Sequence, residues 1–144
     1  MNVLQLLDGK GHEVATIDPH ASLADATASL RDHGVGALVV SADGRSLDGI
    51  LSERDVVRAM AAHGGSTLGR PVSSAMSANV VTCRPLDTCD ELMAMMTERR
   101  IRHLPVVDDS GDLAGIISIG DVVKARLGQL ELENDQLHEY IQAR

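Results

Sequence analysis

The chain has 144 residues, which fits one ordinary domain or two half-sized ones and is long enough to bury a core. Phe and Trp are absent and Tyr140 is the single Tyr, so the core must be aliphatic. The net charge of −8 and the lack of aromatic stacking platforms argue against a nucleic-acid partner.

The cysteines, histidines and amino-terminal residues predict a cytoplasmic protein. Cys83 and Cys89 have neither disulfide nor zinc spacing, and the six histidines show no metal-ligand spacing, so no metal site is expected. The opening "MNVLQLLDGKGHE" lacks a basic region followed by a long apolar stretch, and no segment approaches the roughly 18 apolar residues of a membrane span. No membrane span is expected.

The first predicted unit begins at "EVATI", whose pattern indicates a short strand. A helix follows, with Ser22 at its N-cap and apolar residues at helical spacing. The apolar run "VGALVV", a turn at "ADGRS" and the segment "LDGIL" predict a hairpin. A second helix begins after Ser52. The unit therefore reads strand, helix, strand, strand, helix.

A bridge and a second unit of the same order follow. The bridge "AAHGGSTLGRPVSSAMSA" is rich in Gly and Ser and carries a short predicted helix around Val72 to Met76. Then "NVVTC" predicts a strand, and Thr88 caps a helix. A hairpin is formed by "IRHLPVV" and "LAGII" around the turn "DSGD", and the final helix begins after Ser118.

The two units are copies of each other. A shift of 66 residues aligns Thr16 to Ala59 with Thr82 to Ala125 without a gap, and 14 of these 44 positions are identical. A unit of about 50 residues seldom has enough core to be stable alone. We therefore expect an α+β fold in which the two copies pack sheet to sheet with pseudo-twofold symmetry.

The carboxy-terminal segment predicts a continuation of the last helix. Leu127, Leu130, Asn134, Leu137 and Ile141 recur at intervals of 3, 4, 3 and 4, as in a coiled coil. A buried Asn at such a position can fix the register of two helices. The stripe either packs on its own subunit or joins two subunits, and we predict a homodimer held in part by these tails.

The order of elements, the phrase "GILSERDVV" repeated as "GIISIGDVV", and the stretch "IRHLPVVDDSGDLAGIIS" resemble tandem cystathionine beta-synthase (CBS) domains, together called a Bateman module. The resemblance implies a first CBS domain at residues 1–66, a second at 67–126, and a helical extension at 127–144. It implies a regulatory sensor module of the standalone bacterial type, homodimeric, that binds AMP, ADP, ATP, NAD or S-adenosylmethionine in clefts between paired domains. The ligand would be regulatory, no catalytic cofactor is expected, and the sequence does not identify the effector protein.

The same resemblance assigns roles within the repeated phrase. In the family, the matching hydroxyl and carboxylate contact phosphate and ribose, which implies these roles for Ser118 and Asp121, and for Ser52 and Asp55 in the first copy. The chemistry is suitable, because a helix N-terminus attracts phosphate and a carboxylate accepts hydrogen bonds from vicinal hydroxyls. The alternative is that each pair is only a capping box.

The resemblance places the base beside the first strand and the start of the hairpin of each copy. The matching positions, which can equally be core residues, are Val81, Thr82, Cys83, Pro85 and Ile101 in the second copy and Val14, Thr16, Ile17 and Val35 in the first.

Cations near the predicted ligand are unequal in the two copies. The candidates for phosphate contact are Arg102 and His103, where the first copy has Gly36 and Ala37, and Arg54 in the Ser52 turn. The alternatives are a structural histidine and a solvated arginine. More cations in the second copy predict tighter phosphate binding there.

The sequence leaves two other classes of function to consider. Cys83 or Cys89 with His103 is the only candidate set for nucleophilic catalysis, and Cys89 lies on an apolar helix face where a core cysteine is ordinary, so no enzyme is expected. A protein-interaction adaptor of the same fold with empty clefts is the second alternative.

Overall fold

The computed structural model of the chain describes residues 1–143. Two similar halves follow an amino-terminal helix, and both the α+β class and the helical extension are confirmed. The helices are α1 (Val3–Lys10), α2 (Leu23–His33), α3 (Glu53–His63), α4 (Cys89–Arg99) and α5 (Ile119–Gln142). The strands are β1 (Thr16–Ile17), β2 (Ala37–Val40), β3 (Gly49–Ser52), β4 (His103–Val107) and β5 (Leu113–Ser118). The bridge carries two 3-10 turns, Gly64–Gly69 and Val72–Ser74.

The predicted hairpins and helix starts are confirmed. β2 pairs antiparallel with β3, and β4 pairs antiparallel with β5. The hydroxyl of Ser22 accepts a hydrogen bond from the backbone N–H of Asp25, and that of Thr88 accepts one from Glu91. These local signals work because an N-cap hydroxyl satisfies a backbone donor that the first turn of a helix leaves unpaired.

The predicted first strand of the second copy is wrong apart from one residue. In the first half, β1 pairs in parallel with β2, and the N–H of Val39 donates to the carbonyl of Ala15. The corresponding position on β4 is Pro105, which has no N–H to donate. Only Cys83 forms a bridge, to Val106, so "NVVTC" cannot continue as a ladder.

Each half has its own aliphatic core. The first buries the inner faces of α2, α3 and the β2–β3 hairpin, and its residues are Leu23, Ala26, Leu30, Leu38, Val40, Leu51, Val56 and Val72. The second buries α4, α5 and the β4–β5 hairpin together with α1, and its residues are Val3, Leu6, Leu7, Cys83, Cys89, Leu92, Met96, Leu104, Val106, Ile117 and Val122.

The amino-terminal helix was not predicted, and it packs on the second half. A capping box between Asn2 and Gln5 starts α1. The backbone N–H of Val3 donates to the carbonyl of Asp87 at 2.9 Å, and Leu7 lies against Gly115, where an added Cβ would come within 2.6 Å of its side chain. The packing of α1 on the second half thus crosses the predicted domain boundary at residue 66. That boundary rests on the sequence repeat and stays a prediction.

The two halves contact each other near the ends of their hairpins. The N–H of Leu113 donates to the carbonyl of Arg45 at 2.9 Å, and the Arg45 guanidinium pairs with Asp112 at 3.3 Å. At the opposite ends of the two hairpins, Gly36 precedes β2 and His103 begins β4. A Cβ added at Gly36 would lie 3.5 Å from the His103 ring. The direct sheet-to-sheet contact between copies stays a prediction.

Candidate functional site

Helices α3 and α5 both begin at one cleft of about 750 Å³ between the two halves. The cleft brings together seven predicted site residues, which are Ser52, Arg54, Asp55, Ile101, Arg102, His103 and Ser118. Asp121 lies one helical turn beyond Ser118, and its carboxylate accepts a hydrogen bond from the Ser118 hydroxyl. The repeated phrase therefore supplies two helix N-termini, with their positive potential, to one cavity.

Each Ser and Asp pair has capping-box geometry. The N–H and hydroxyl of Ser118 donate to Asp121 Oδ2 at 2.8 and 3.0 Å, and the N–H of Asp121 donates back to the hydroxyl at 3.2 Å. The matching distances for Ser52 and Asp55 are 2.9, 3.0 and 3.2 Å. Within residues 1–143 no hydrogen bond reaches the other carboxylate oxygen, Oδ1, of either aspartate. Both capping boxes therefore form, and in each the Oδ1 oxygen of the aspartate can still accept a hydrogen bond.

Lys10 is a site residue that the sequence reasoning missed. Its ammonium contacts Asp121 Oδ2 at 2.5 Å and the carbonyl of Ile116 at 2.7 Å. Burial raises the pKa of the Asp121 carboxyl, but hydrogen bonds from Lys10 and Ser118 and the Lys10 charge outweigh burial and hold the pKa below its ordinary value. Asp121 is therefore ionised at neutral pH.

His103 lies where the two halves meet. Burial lowers the pKa of its imidazole, the positive charges of Arg102 and Lys10 lower it further, and the carboxylates of Asp121 and Glu53 raise it less than the other effects lower it. The ring is neutral at pH 7, and it offers a ligand one donor and one acceptor.

The lining of the cleft carries more positive than negative charge. Four arginines, Arg54, Arg58, Arg100 and Arg102, face two carboxylates, Glu53 and Asp55. Arg58 and Arg100 are not among the residues predicted from the sequence. Arg58 lies four residues after Arg54 and thus on the same helix face. Arg100 ends α4 in the left-handed conformation, with φ at 54°, a geometry that no local pattern indicates for an arginine.

The other predicted base contacts do not line this cleft. Thr16, Ile17, Val81, Thr82 and Pro85 are half-buried and lie outside its lining. Val35 lines a separate groove of about 520 Å³ between α2 and α3. Their part in holding a base stays a prediction.

Cys83 is a core residue in this structure. Its N–H and carbonyl are bonded to Pro105 and Val107 on β4, and the residue is 1% exposed. Burial, helped by the negative charge of Asp87, raises the pKa of its thiol to about 12. Burial also raises the pKa of Cys89. Neither thiol has the thiolate character that a nucleophile requires.

No helix within residues 1–143 is both long and apolar enough to cross a membrane.

Comparison with known proteins identifies the fold family. The family model for the CBS domain matches residues 11–62 and 72–128. The mitochondrial CBS domain-containing protein CBSX3 of Arabidopsis thaliana is 39% identical over 122 residues, which cover 82% of this chain and 59% of that protein. This chain thus matches less than two thirds of that relative's length.

Solved structures agree with this assignment. A CBS-domain containing protein from Agrobacterium tumefaciens is 51% identical with a TM-score of 0.82, covering 87% of this chain and 98% of that one. A CBS domain protein from Pyrobaculum aerophilum, solved in complex with AMP, is 26% identical with a TM-score of 0.79, covering 93% and 99% of the two chains. Because two successive segments match the family model, the chain belongs to the CBS domain family and is a tandem CBS pair.

Proposed function

We propose that this chain is a regulatory module that binds an adenine nucleotide, AMP, ATP or NAD, in the cleft between its two CBS domains and performs no catalysis. The observation that carries the proposal is the meeting of two helix N-termini, at Ser52 and Ser118, in one arginine-lined cavity. The AMP bound by the Pyrobaculum relative supports an adenine ligand.

The geometry suggests how each part of the ligand is held. A phosphate at the start of α5 accepts a hydrogen bond from the N–H of Gly120, which lines the cleft, and Arg102 supplies the charge. The ribose hydroxyls donate to Asp121, which accepts only. The base contacts aliphatic side chains, Ile101 among them, because no Phe, Tyr or Trp of residues 1–143 lines the cleft. The pair at Ser52 and Asp55 provides an equivalent set.

The test is a search for the ligand itself. Small molecules released from freshly purified, denatured protein are identified by mass spectrometry, and a panel of AMP, ADP, ATP, NAD and S-adenosylmethionine is screened by thermal shift. We expect an adenine nucleotide to be released or to raise the melting temperature. Absence of both effects would contradict the proposal and favour an adaptor with empty clefts, and steady turnover of nucleotide would contradict the regulatory assignment.

We also propose that the partner of this chain is a second copy, joined through the tail of α5. The helix is 24 residues long, about 36 Å at 1.5 Å per residue. The apolar members of its stripe, Leu127, Leu130, Leu137 and Ile141, are 46–58% exposed. This exposure favours packing against a second copy over packing on the same subunit.

The charges beside the stripe fit a parallel pair of tails. In a parallel coiled coil, Arg126 faces Glu131 of the partner subunit, and Glu133 faces the partner subunit's His138. Asn134 meets its own copy, so the two amides hydrogen-bond to each other, whereas an antiparallel pair would set each amide against a leucine. A membrane surface is a poor alternative, because residues 127–143 contain four acidic residues and no Lys or Arg.

Removal of the tail is expected to weaken the dimer about tenfold or more. Two heptads are marginal as an isolated coiled coil. We therefore expect the tail to strengthen a dimer that the CBS domains of the two subunits also contact, rather than to form the dimer alone. Dilution series of the full chain and of a truncation after Arg126, followed by light scattering, measure the change. Leu130→Lys should act like the truncation. Leu132→Lys, on an exposed position outside the stripe, is the matched control. An unchanged dimer affinity in the truncated chain would remove the tail from this account.

A further inference from the structure

Lys10 joins the first helix of the chain to the predicted ribose acceptor near its end. The ammonium and the Asp121 carboxylate are 111 residues apart in sequence and 2.5 Å apart in space. The Lys10 and Asp121 side chains are 31% and 25% exposed. The contact therefore lies at the edge of the site rather than on open surface.

The contact fills one oxygen of the carboxylate. Asp121 Oδ2 already accepts from the N–H and the hydroxyl of Ser118, and Lys10 is its third donor. Three donors already exceed the roughly two lone-pair positions of one carboxylate oxygen, so a ribose hydroxyl can reach Oδ2 only in place of one of them. The ammonium is the donor that the capping box does not hold. In the first half, Asp55 Oδ2 accepts only from Ser52 among the described residues. A ribose that uses both oxygens of Asp121 therefore takes the place of the ammonium, whereas Asp55 Oδ2 has one donor fewer and no ammonium to displace.

The displaced ammonium stays near the ligand. α1 is anchored by the buried Leu7 and by backbone hydrogen bonds to Pro85 and Asp87, so only the flexible side chain of Lys10 moves. Asp121 Oδ2 is 2.5 Å from Lys10 Nζ and 3.0 Å from Ser118 Oγ, so the ammonium and the hydroxyl are at most 5.5 Å apart, the sum of those distances. A phosphate bound at Ser118 lies within reach of Lys10.

We propose that Lys10 makes the site at Ser118 and Asp121 selective for adenosine ligands that carry a phosphate over those that carry none. A neutral nucleoside that takes the carboxylate leaves the ammonium without an anionic partner. A nucleotide supplies that partner at the same moment. This specificity rests on the proposed nucleotide function and adds to it.

The test compares AMP with adenosine in the wild-type chain and in Lys10→Met, which keeps the length of the side chain and removes its charge. Every chain in the comparison, including the parent chain that keeps Lys10, carries Asp55→Ala, so that the site at Ser118 and Asp121 dominates the titration. Circular dichroism verifies that each chain is folded. By calorimetry we expect adenosine to bind about three- to tenfold more tightly in Lys10→Met, and AMP to bind equally or more weakly. Lys124→Met, which removes an exposed lysine farther along α5, should change neither.

The outcomes separate the two proposals. If the preference for AMP over adenosine is the same in Lys10→Met as in the parent chain, Lys10 does not set specificity, while nucleotide binding stands. If Lys10→Met weakens both ligands equally, Lys10 only supports the fold of the site, and the inference is again wrong. If the wild-type chain binds neither ligand, the proposed function itself falls.

Discussion

Replacement of Asp121 by alanine is expected to weaken AMP binding about ten- to a hundredfold. The change removes hydrogen bonds between the ribose hydroxyls and an ionised acceptor, which contribute about 1.5–3 kcal/mol, and about 1.4 kcal/mol corresponds to a tenfold change in affinity. The lowered pKa of Asp121 ensures that the acceptor is charged at the pH of the measurement. Calorimetric titration measures the loss directly.

Asp55→Ala is the matched comparison, because its capping box has nearly the same distances. We expect a smaller effect on the tighter binding event, since Arg102 and His103 lie beside the start of α5: His103 pairs with Ser118 across the hairpin, and the N–H of Ile119 donates to the carbonyl of Arg102. Loss of the cap costs each variant about 0.5–2 kcal/mol of stability, so folding is verified before titration. If folded Asp121→Ala bound AMP as the wild type does, Ser118 and Asp121 would be a helix cap and nothing more.

Leu7→Ala is expected to lower the free energy of unfolding by about 2–5 kcal/mol, the range found for leucine truncation in a close-packed core. Leu7 is 1% exposed and fills the space in front of Gly115, so the shortened side chain leaves a cavity in the second half. Denaturant unfolding monitored by circular dichroism measures the change.

Leu4→Ala is the control on the same helix. Leu4 is 43% exposed, and its truncation should change the free energy of unfolding by about 0.5 kcal/mol or less. Equal effects of the two substitutions would mean that α1 does not contribute to the core of the second half.

Local sequence signals were enough to predict most of the fold. The N-caps at Ser22 and Thr88, both hairpins and the helix starts after Ser52 and Ser118 depend on residues only a few positions apart. Such patterns are visible in a single sequence because capping and turn formation are local events. Because a shift of 66 residues relates the two copies, each element predicted in one copy is also expected at the matching position of the other.

The parts that sequence reasoning missed depend on distant neighbours. Nothing near Lys10 indicates that α1 packs on the second half and brings the ammonium to Asp121. The strand at "NVVTC" was predicted from its own pattern, but whether it forms depends on its partner, and Pro105 on β4 cannot donate to it. Arg100 reaches the cleft only because α4 ends there in a left-handed turn.

The central claim is that an adenine nucleotide occupies the cleft between the starts of α3 and α5. Amide NMR spectra of the isotope-labelled protein, recorded while AMP is added, test it most directly. We predict the largest shifts at the backbone N–H groups of residues 53–55 and 119–121, which form the two helix N-termini. Shifts confined to the groove around Val35 between α2 and α3, or no shifts at saturating AMP, would contradict the claim.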